Sequence, residues 1–210
     1  MAGKYLILLG AVVLGGIVIT TLIGGLLAPK PTISSYADVN APVPASSIPP
    51  NPGWPIIGPY RSGIAKIDKS IEEARAHLPY FWQHQQAPAT GEEDFSVRVA
   101  FPAIRDGKPA HDLIWVTGVN RVDDRIGGRL GVVGVNGVDG SIDGPLALTS
   151  DLMPNLRDGD VVSMTEDMII DWGFRRGNKL IGFYYLRITL EEFAPAEADQ
   201  IRTNLGENPK

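Results

Sequence analysis

FSVRVAF, residues 95–101, is the stretch on which the reading of the fold turns. Phe95, Val97, Val99 and Phe101 alternate with Ser96, Arg98 and Ala100. That period of two puts successive side chains on opposite faces of a half-buried strand. On the amino side the period is helical. Ile67, Ile71, Ala74, Leu78, Phe81 and Trp82 recur at three- and four-residue spacing and give a helix over about 68–86 one apolar face. Asp68 can cap it, and Glu72 and Glu73 stand in the early turns, where the helix dipole favours anions. Pro79 interrupts the pattern and predicts a kink or a break into two short helices.

On the carboxyl side, 112–119 around Trp115 and 125–130 read as further strands, with turns at Asp106-Gly107 and Asp123-Asp124. Strands are also expected at 160–165 and 168–172, after RDGD, and at 180–190 with Phe183, Tyr185 and Ile188. The glycine-rich run GVVGVNGVDGSIDGP, 131–145, lacks the Lys-Ser/Thr and the opening helix of a phosphate-binding loop, and reads as a long hairpin or loop. A helix followed by strands joined mostly through short turns indicates an α+β domain, with an N-terminal helix packed on a curved, mostly antiparallel sheet. Residues 62–193 would form it, enough for one core, with 194–210 as a polar C-terminal tail.

Upstream, 29–61 is a Pro-rich linker. Nine of the 17 prolines fall between positions 29 and 59, so an extended spacer is expected, with Trp54 and Tyr60 as the point where the chain docks onto the folded part. Before it, 5–28 runs for 24 residues without a charged side chain or a histidine. As a helix it would span roughly 36 Å, against about 30 Å for a bilayer core. The run exceeds the apolar region of a cleavable signal, and a cut after Ala28 would meet Pro29. A buried core helix fits poorly, because the segment has no polar face and precedes a proline-rich tract. Residues 1–28 therefore read as a single-pass anchor in the inner (cytoplasmic) membrane. Lys4 and the terminal amine favour keeping the short amino end inside, which places the domain on the periplasmic side. Gly16, Thr20 and Gly24 form a small-residue stripe that could pair two anchors as a homodimer, although glycine is common in membrane helices in any case.

Composition narrows the function classes. A net charge of −5 and the absence of a basic stripe with interleaved aromatics argue against nucleic acid as a partner. With no cysteine there is no thiol nucleophile and no lipobox, and no serine-hydrolase signature is present. His77 and His84 stand seven apart and His111 is isolated, too few ligands for a metal site, so no metal or cofactor is expected. The polar residues embedded in the apolar strands are Arg98, Asp112, Asp160, Asp171 and Arg187, with Trp172 beside Asp171. Alternation can put Arg98 and Asp112 on one face of neighbouring strands as an ion pair, and Asp171 with Arg187 as a second. Such pairs can hold a polar group of a ligand, and paired carboxylates can do acid–base work. Equally, they can be turn-forming residues and ion pairs at a sheet rim.

The ordered set EEARAHLPYFW, FSVRVAF, DLIWV, GGRL, LRDGDVVSM, DMIIDW and GFYYLRITL resembles the bacterial domain of unknown function 2314, whose members include YegJ-like proteins. The resemblance runs over about 70–190. Arg98 stands where a lysine is common in that family and Asp112 where a glutamate is common, and the loop at 131–145 is longer than usual. The resemblance implies a fold and no activity. The expected function is a membrane-anchored binding or interaction module of the cell envelope, whose partner is an envelope protein or a small ligand. The alternative is a membrane-tethered hydrolase using Asp160 and Asp171, and no recognisable catalytic constellation supports it.

Overall fold

The computed structural model describes residues 40–54, 59–131, 156 and 159–209. The apolar segment at 5–28, with Gly16, Thr20 and Gly24, lies outside them, as does nearly all of the glycine-rich run. Among the described residues no helix is long and apolar enough to cross a membrane. The described residues make one compact unit.

Among the described residues its frame is a six-stranded antiparallel sheet that does not close. The strands are β1 (Glu92–Arg105), β2 (Lys108–Val122), β3 (Arg125–Leu130), β4 (Val161–Met164), β5 (Ile169–Arg176) and β6 (Lys179–Gly182). Their order across the sheet is β4-β3-β2-β1-β5-β6. Local chemistry sets the register. Arg105 pairs with Lys108 across a two-residue turn, and Asp106 and Gly107 both take positive φ, as a type I′ hairpin requires. That turn places Arg98 opposite Trp115 and Asp112 opposite Phe101.

The helical pattern resolves into α1 (Ala65–Ala76) and α2 (Leu78–Gln86), with the break at His77 and Pro79 in the first turn of α2. Proline is tolerated there because the first amides of a helix have no partner within it. Asp68 is not the cap itself. From the first turn it reaches back to accept from Ser62 N–H at 2.7 Å and Ser62 Oγ–H at 2.8 Å. In α2, Leu78, Phe81, Trp82 and Gln85 are buried, the i, i+3, i+4, i+7 face expected of a helix laid on a sheet. They pack on Phe95, Val97, Val99, Phe101, Ile114, Val116, Trp172 and Phe174. Burying such side chains stabilises the fold by about 1.5–3 kcal/mol each, before conformational entropy is set against it.

The opposite face is also covered, and here the structure corrects the sequence reading of 180–190. The strand ends at Gly182. Gly182 (φ +84°) and Phe183 (φ +52°) both leave extended space, and the chain continues as α3 (Tyr184–Thr189). A residue other than glycine would not fit at position 182, since its Cβ would lie 2.3 Å from the Trp172 carbonyl oxygen. The presumed polar tail is also structured. It forms α4 (Pro195–Asn204), which buries Ala198 and Ile201, and then pairs Leu205 with Leu180 on the outer edge of β6. Leu180, Phe183, Leu186 and Ile201 make the second core cluster. A third joins Ile71 of α1 to Ala100 and Ile170.

Part of the presumed spacer belongs to the domain as well. Val43 and Ile48 are buried. Val43 N–H donates to the Gly118 carbonyl at 2.8 Å, and the Val43 carbonyl accepts from Asn120 Nδ2 at 2.8 Å. Trp54 Nε1 donates to the Ser163 carbonyl at 3.2 Å, and its ring packs on Phe101. Proline blocks helix but leaves the carbonyls free to accept, so a proline-rich segment with a few apolar anchors can dock as a strap. Trp54 docks as expected, and the strap is already anchored eleven residues before it, at Val43.

Candidate functional site

The described polar residues of the strands do not meet as the sequence suggested. Arg98 and Asp112 are on adjacent strands but on opposite faces, because Arg98 pairs with Trp115, three residues along β2 from Asp112, and an odd separation reverses the face. Asp112 turns toward the main core, where Arg105 Nη2 bonds its Oδ1, while its buried Oδ2 has no hydrogen-bond partner. Asp160 precedes β4, and three strands lie between β4 and the β5 that carries Asp171, a distance of four strand spacings. At about 4.8 Å per strand the two carboxylates are separated by roughly 19 Å, too far to act on one bond. Trp172 is wholly buried and donates from Nε1 to the Ala74 carbonyl at 2.7 Å, tying α1 to the sheet. Arg187 lies on α3 and ties β6 to the C-terminal segment, donating to the carbonyls of Gly182 and Gly206 at 2.8 Å.

What the sheet does bring together is Arg98 and Asp171, direct partners across β1 and β5. The strands carry a register shift beside this pair, where Ile170 is left without a partner on β1. Asp171 is 2% exposed. Its Oδ1 accepts the N–H groups of Trp172 (2.8 Å) and Tyr184 (3.0 Å), and its Oδ2 accepts that of Tyr185 (3.0 Å). The carboxylate thereby serves the first amides of α3, which explains why a segment of aromatic and β-branched residues becomes helical there. Burial pushes its pKa up, against the three amides and Arg98, to about 6.

Asp171 also aims Tyr185. The guanidinium of Arg98 lies over the Tyr185 ring, 4.7 Å from its centre. The Nε of Arg98 is buried and bonds to no acceptor among the described residues. These groups line a pocket of about 60 Å³ with Tyr60, Ile67, Ile71, Leu113 and Ile170. Burial raises the Tyr60 phenol above its ordinary value, with Arg98 pulling the other way. The pocket is thus apolar, with one stacked cation on its wall. Tyr60, Tyr185 and the apolar wall were not singled out as site residues in the sequence. The tyrosine pair of GFYYL was the available signal, but its meaning depends on the strand-to-helix switch at Phe183.

A second polar cluster is structural. The Glu92 side chain is 1% exposed and accepts from Ala89 N–H (2.9 Å) and Arg176 Nε (2.8 Å), with His84 Nδ1 at 2.9 Å. Burial pushes Glu92 up, but these partners outweigh it and hold the carboxyl below its ordinary value. His77 Nδ1 is 2.9 Å from the Tyr184 hydroxyl, and His111 stands edge-on to Tyr60. Among the described residues no three His, Asp or Glu side chains are grouped to hold a metal ion.

Residues 132–208 match a family described as "Uncharacterized protein conserved in bacteria (DUF2314)". The matched family is the one that the ordered motifs of the sequence resemble. No curated protein and no solved structure matches the chain. The DUF2314 match takes in β4 to α4, and with them Ile170, Asp171 and Tyr185 of the pocket. It begins later than the resemblance drawn from the sequence and reaches past it to include α4. Arg98, Tyr60 and the apolar residues of α1 are contributed from outside the matched stretch.

Proposed function

We propose that this protein is a membrane-tethered binding module of the bacterial cell envelope, and that its pocket receives an anionic group on Arg98. The observation that carries the reading is the Arg98 guanidinium. It is stacked on Tyr185 in an apolar pocket, and its buried Nε has no acceptor. A buried donor without an acceptor costs about 1–3 kcal/mol, more for a charged group, and a ligand oxygen would remove that cost. Arginine also presents a planar fork suited to oxyanions. A hydrolase finds less support. Asp171 is committed to three backbone amides, and Asp160 stands across the sheet.

The tether rests on the sequence of 5–28, and the periplasmic side rests on Lys4. Two experiments test the reading. Protease added to intact spheroplasts should digest the domain; protection until lysis would put it on the cytoplasmic side. Melting of the full chain in detergent, at constant ionic strength, should rise when chloride is replaced by acetate. Arg98→Met should abolish that rise. An equal rise in the variant would refute the anion site.

A further inference from the structure

Resting on that reading, we infer that the Arg98 pocket selects the carboxylate end of a short aliphatic acid, and discriminates against phosphate and against a peptide C-terminus. Size is the first argument. A water needs about 10–15 Å³ of such volume, so 60 Å³ admits roughly four to six water-sized groups. That suits a carboxylate with a stem of two to three carbons.

Charge is the second. Arg98 supplies one positive charge, and the neighbouring wall holds the Asp171 carboxyl, its cross-strand partner. With the Asp171 carboxylate counted, a monoanion on Arg98 leaves one negative charge in excess and a dianion leaves two. The second charge of a phosphate dianion would stand uncompensated beside Asp171 in a site with little water, which is costly. Shape is the third. The stacked guanidinium offers an edge in a plane, which a flat carboxylate meets with two parallel bonds. The wall next to it is the fourth. Ile67, Ile71, Leu113 and Ile170 offer a stem apolar contact and give an amide no hydrogen-bond partner. A peptide C-terminus places an amide two atoms from its carboxylate, and that amide would lose its water there.

The test is titration of the full chain in detergent, at pH 7.5, with butyrate, butyramide, N-acetylglycine and inorganic phosphate, followed by calorimetry or by tyrosine and tryptophan fluorescence. Butyrate should bind at least about tenfold more tightly than each of the other three. Arg98→Lys, which keeps the charge and loses the fork, should weaken butyrate by about as much. Phosphate binding as tightly as butyrate would overturn the selection while leaving an anion site on Arg98. N-acetylglycine binding as tightly would overturn the aliphatic stem alone. Butyramide equal to butyrate, or no binding by any of the four, would overturn the anion site itself. The comparison of butyrate with butyramide is made on the unaltered protein, so its outcome does not depend on the variant folding.

Discussion

Replacing Asp171 with asparagine sets two opposing effects on one buried carboxylate against each other. Three amide donors at 2.8–3.0 Å and the Arg98 charge favour the ionised form. On their own, such donors hold a carboxyl well below its ordinary value. Burial opposes them and wins, lifting the group from 3.8 to about 6. Roughly two pKa units correspond to about 3 kcal/mol. The sign follows from proton binding. Between about pH 4 and pH 6 the folded protein holds a proton that the unfolded chain releases, so stability falls as pH rises through this window. The contribution is fully present below the unfolded value and lost above the folded one. Asparagine does not titrate.

Wild type minus Asp171→Asn, measured as unfolding free energy, should therefore drop by about 3 kcal/mol from about pH 3 to about pH 7. In a domain of this size that is about 6–12 °C in Tm. Glu92, Asp68 and Glu191, whose carboxyls are held low, act in the opposite sense, but they are common to both proteins and cancel in the difference. A constant offset is expected as well, because the new Nδ2 faces the Tyr185 amide, donor against donor, at about 1–3 kcal/mol. Thermal or urea unfolding followed by circular dichroism over this range is the assay. A difference that stays flat, or grows with pH, would show that the amides outweigh burial and would refute the reasoning.

Other consequences can be checked more briefly. Gly173→Ala should destabilise by about 1–3 kcal/mol, since the new Cβ would stand 2.2 Å from the Phe183 ring; an unchanged Tm would mean that Phe183 moves freely. Trp54→Ala removes a ring contact with Phe101 and the bond to Ser163. It should cost about 2–4 kcal/mol and speed proteolysis within 40–54 before the rest of the domain unfolds. Glu92→Gln should lower stability at neutral pH by about 1.5–3 kcal/mol by weakening its bonds to Arg176 and His84, and should reduce the loss of stability on acidification, read from pH-dependent melts.

The strands with strong local patterns were legible in the sequence. Alternation over 95–101 gives the central strand, and Asp106-Gly107 gives its hairpin. With that two-residue turn taken literally, the partners of Arg98 and Asp112 could have been counted off as Trp115 and Phe101, and the proposed pair dismissed. Two elements were not legible, for physical reasons. Residues 184–189 carry aromatic and β-branched side chains, which favour strand, and they are helical because a carboxylate 13 residues upstream accepts their first amides. The strap at 41–54 has the composition of a spacer, and what holds it down, the packing of Val43, Ile48 and Trp54 and the bonds its carbonyls accept from Asn120, Arg129 and Ser163, meets a sheet that had yet to be placed. The pocket inherits this difficulty, because Tyr60 comes from just after the strap and Tyr185 from the unexpected helix.

The cap that Asp171 places on α3 also acts as an index mark. The carboxylate grips two consecutive amides, those of Tyr184 and Tyr185, so the rotational phase of the helix is set from the neighbouring strand. Adding or deleting one residue after Gly182 would leave the grip intact and advance the helix by about 100°, carrying a different side chain beneath Arg98. Single-residue length variation at this corner would exchange the floor of the pocket for Tyr184 or Leu186, at the cost of repacking Phe183 and Leu186 and of the bonds made by Arg187, a way to re-tool the site by counting rather than by substitution.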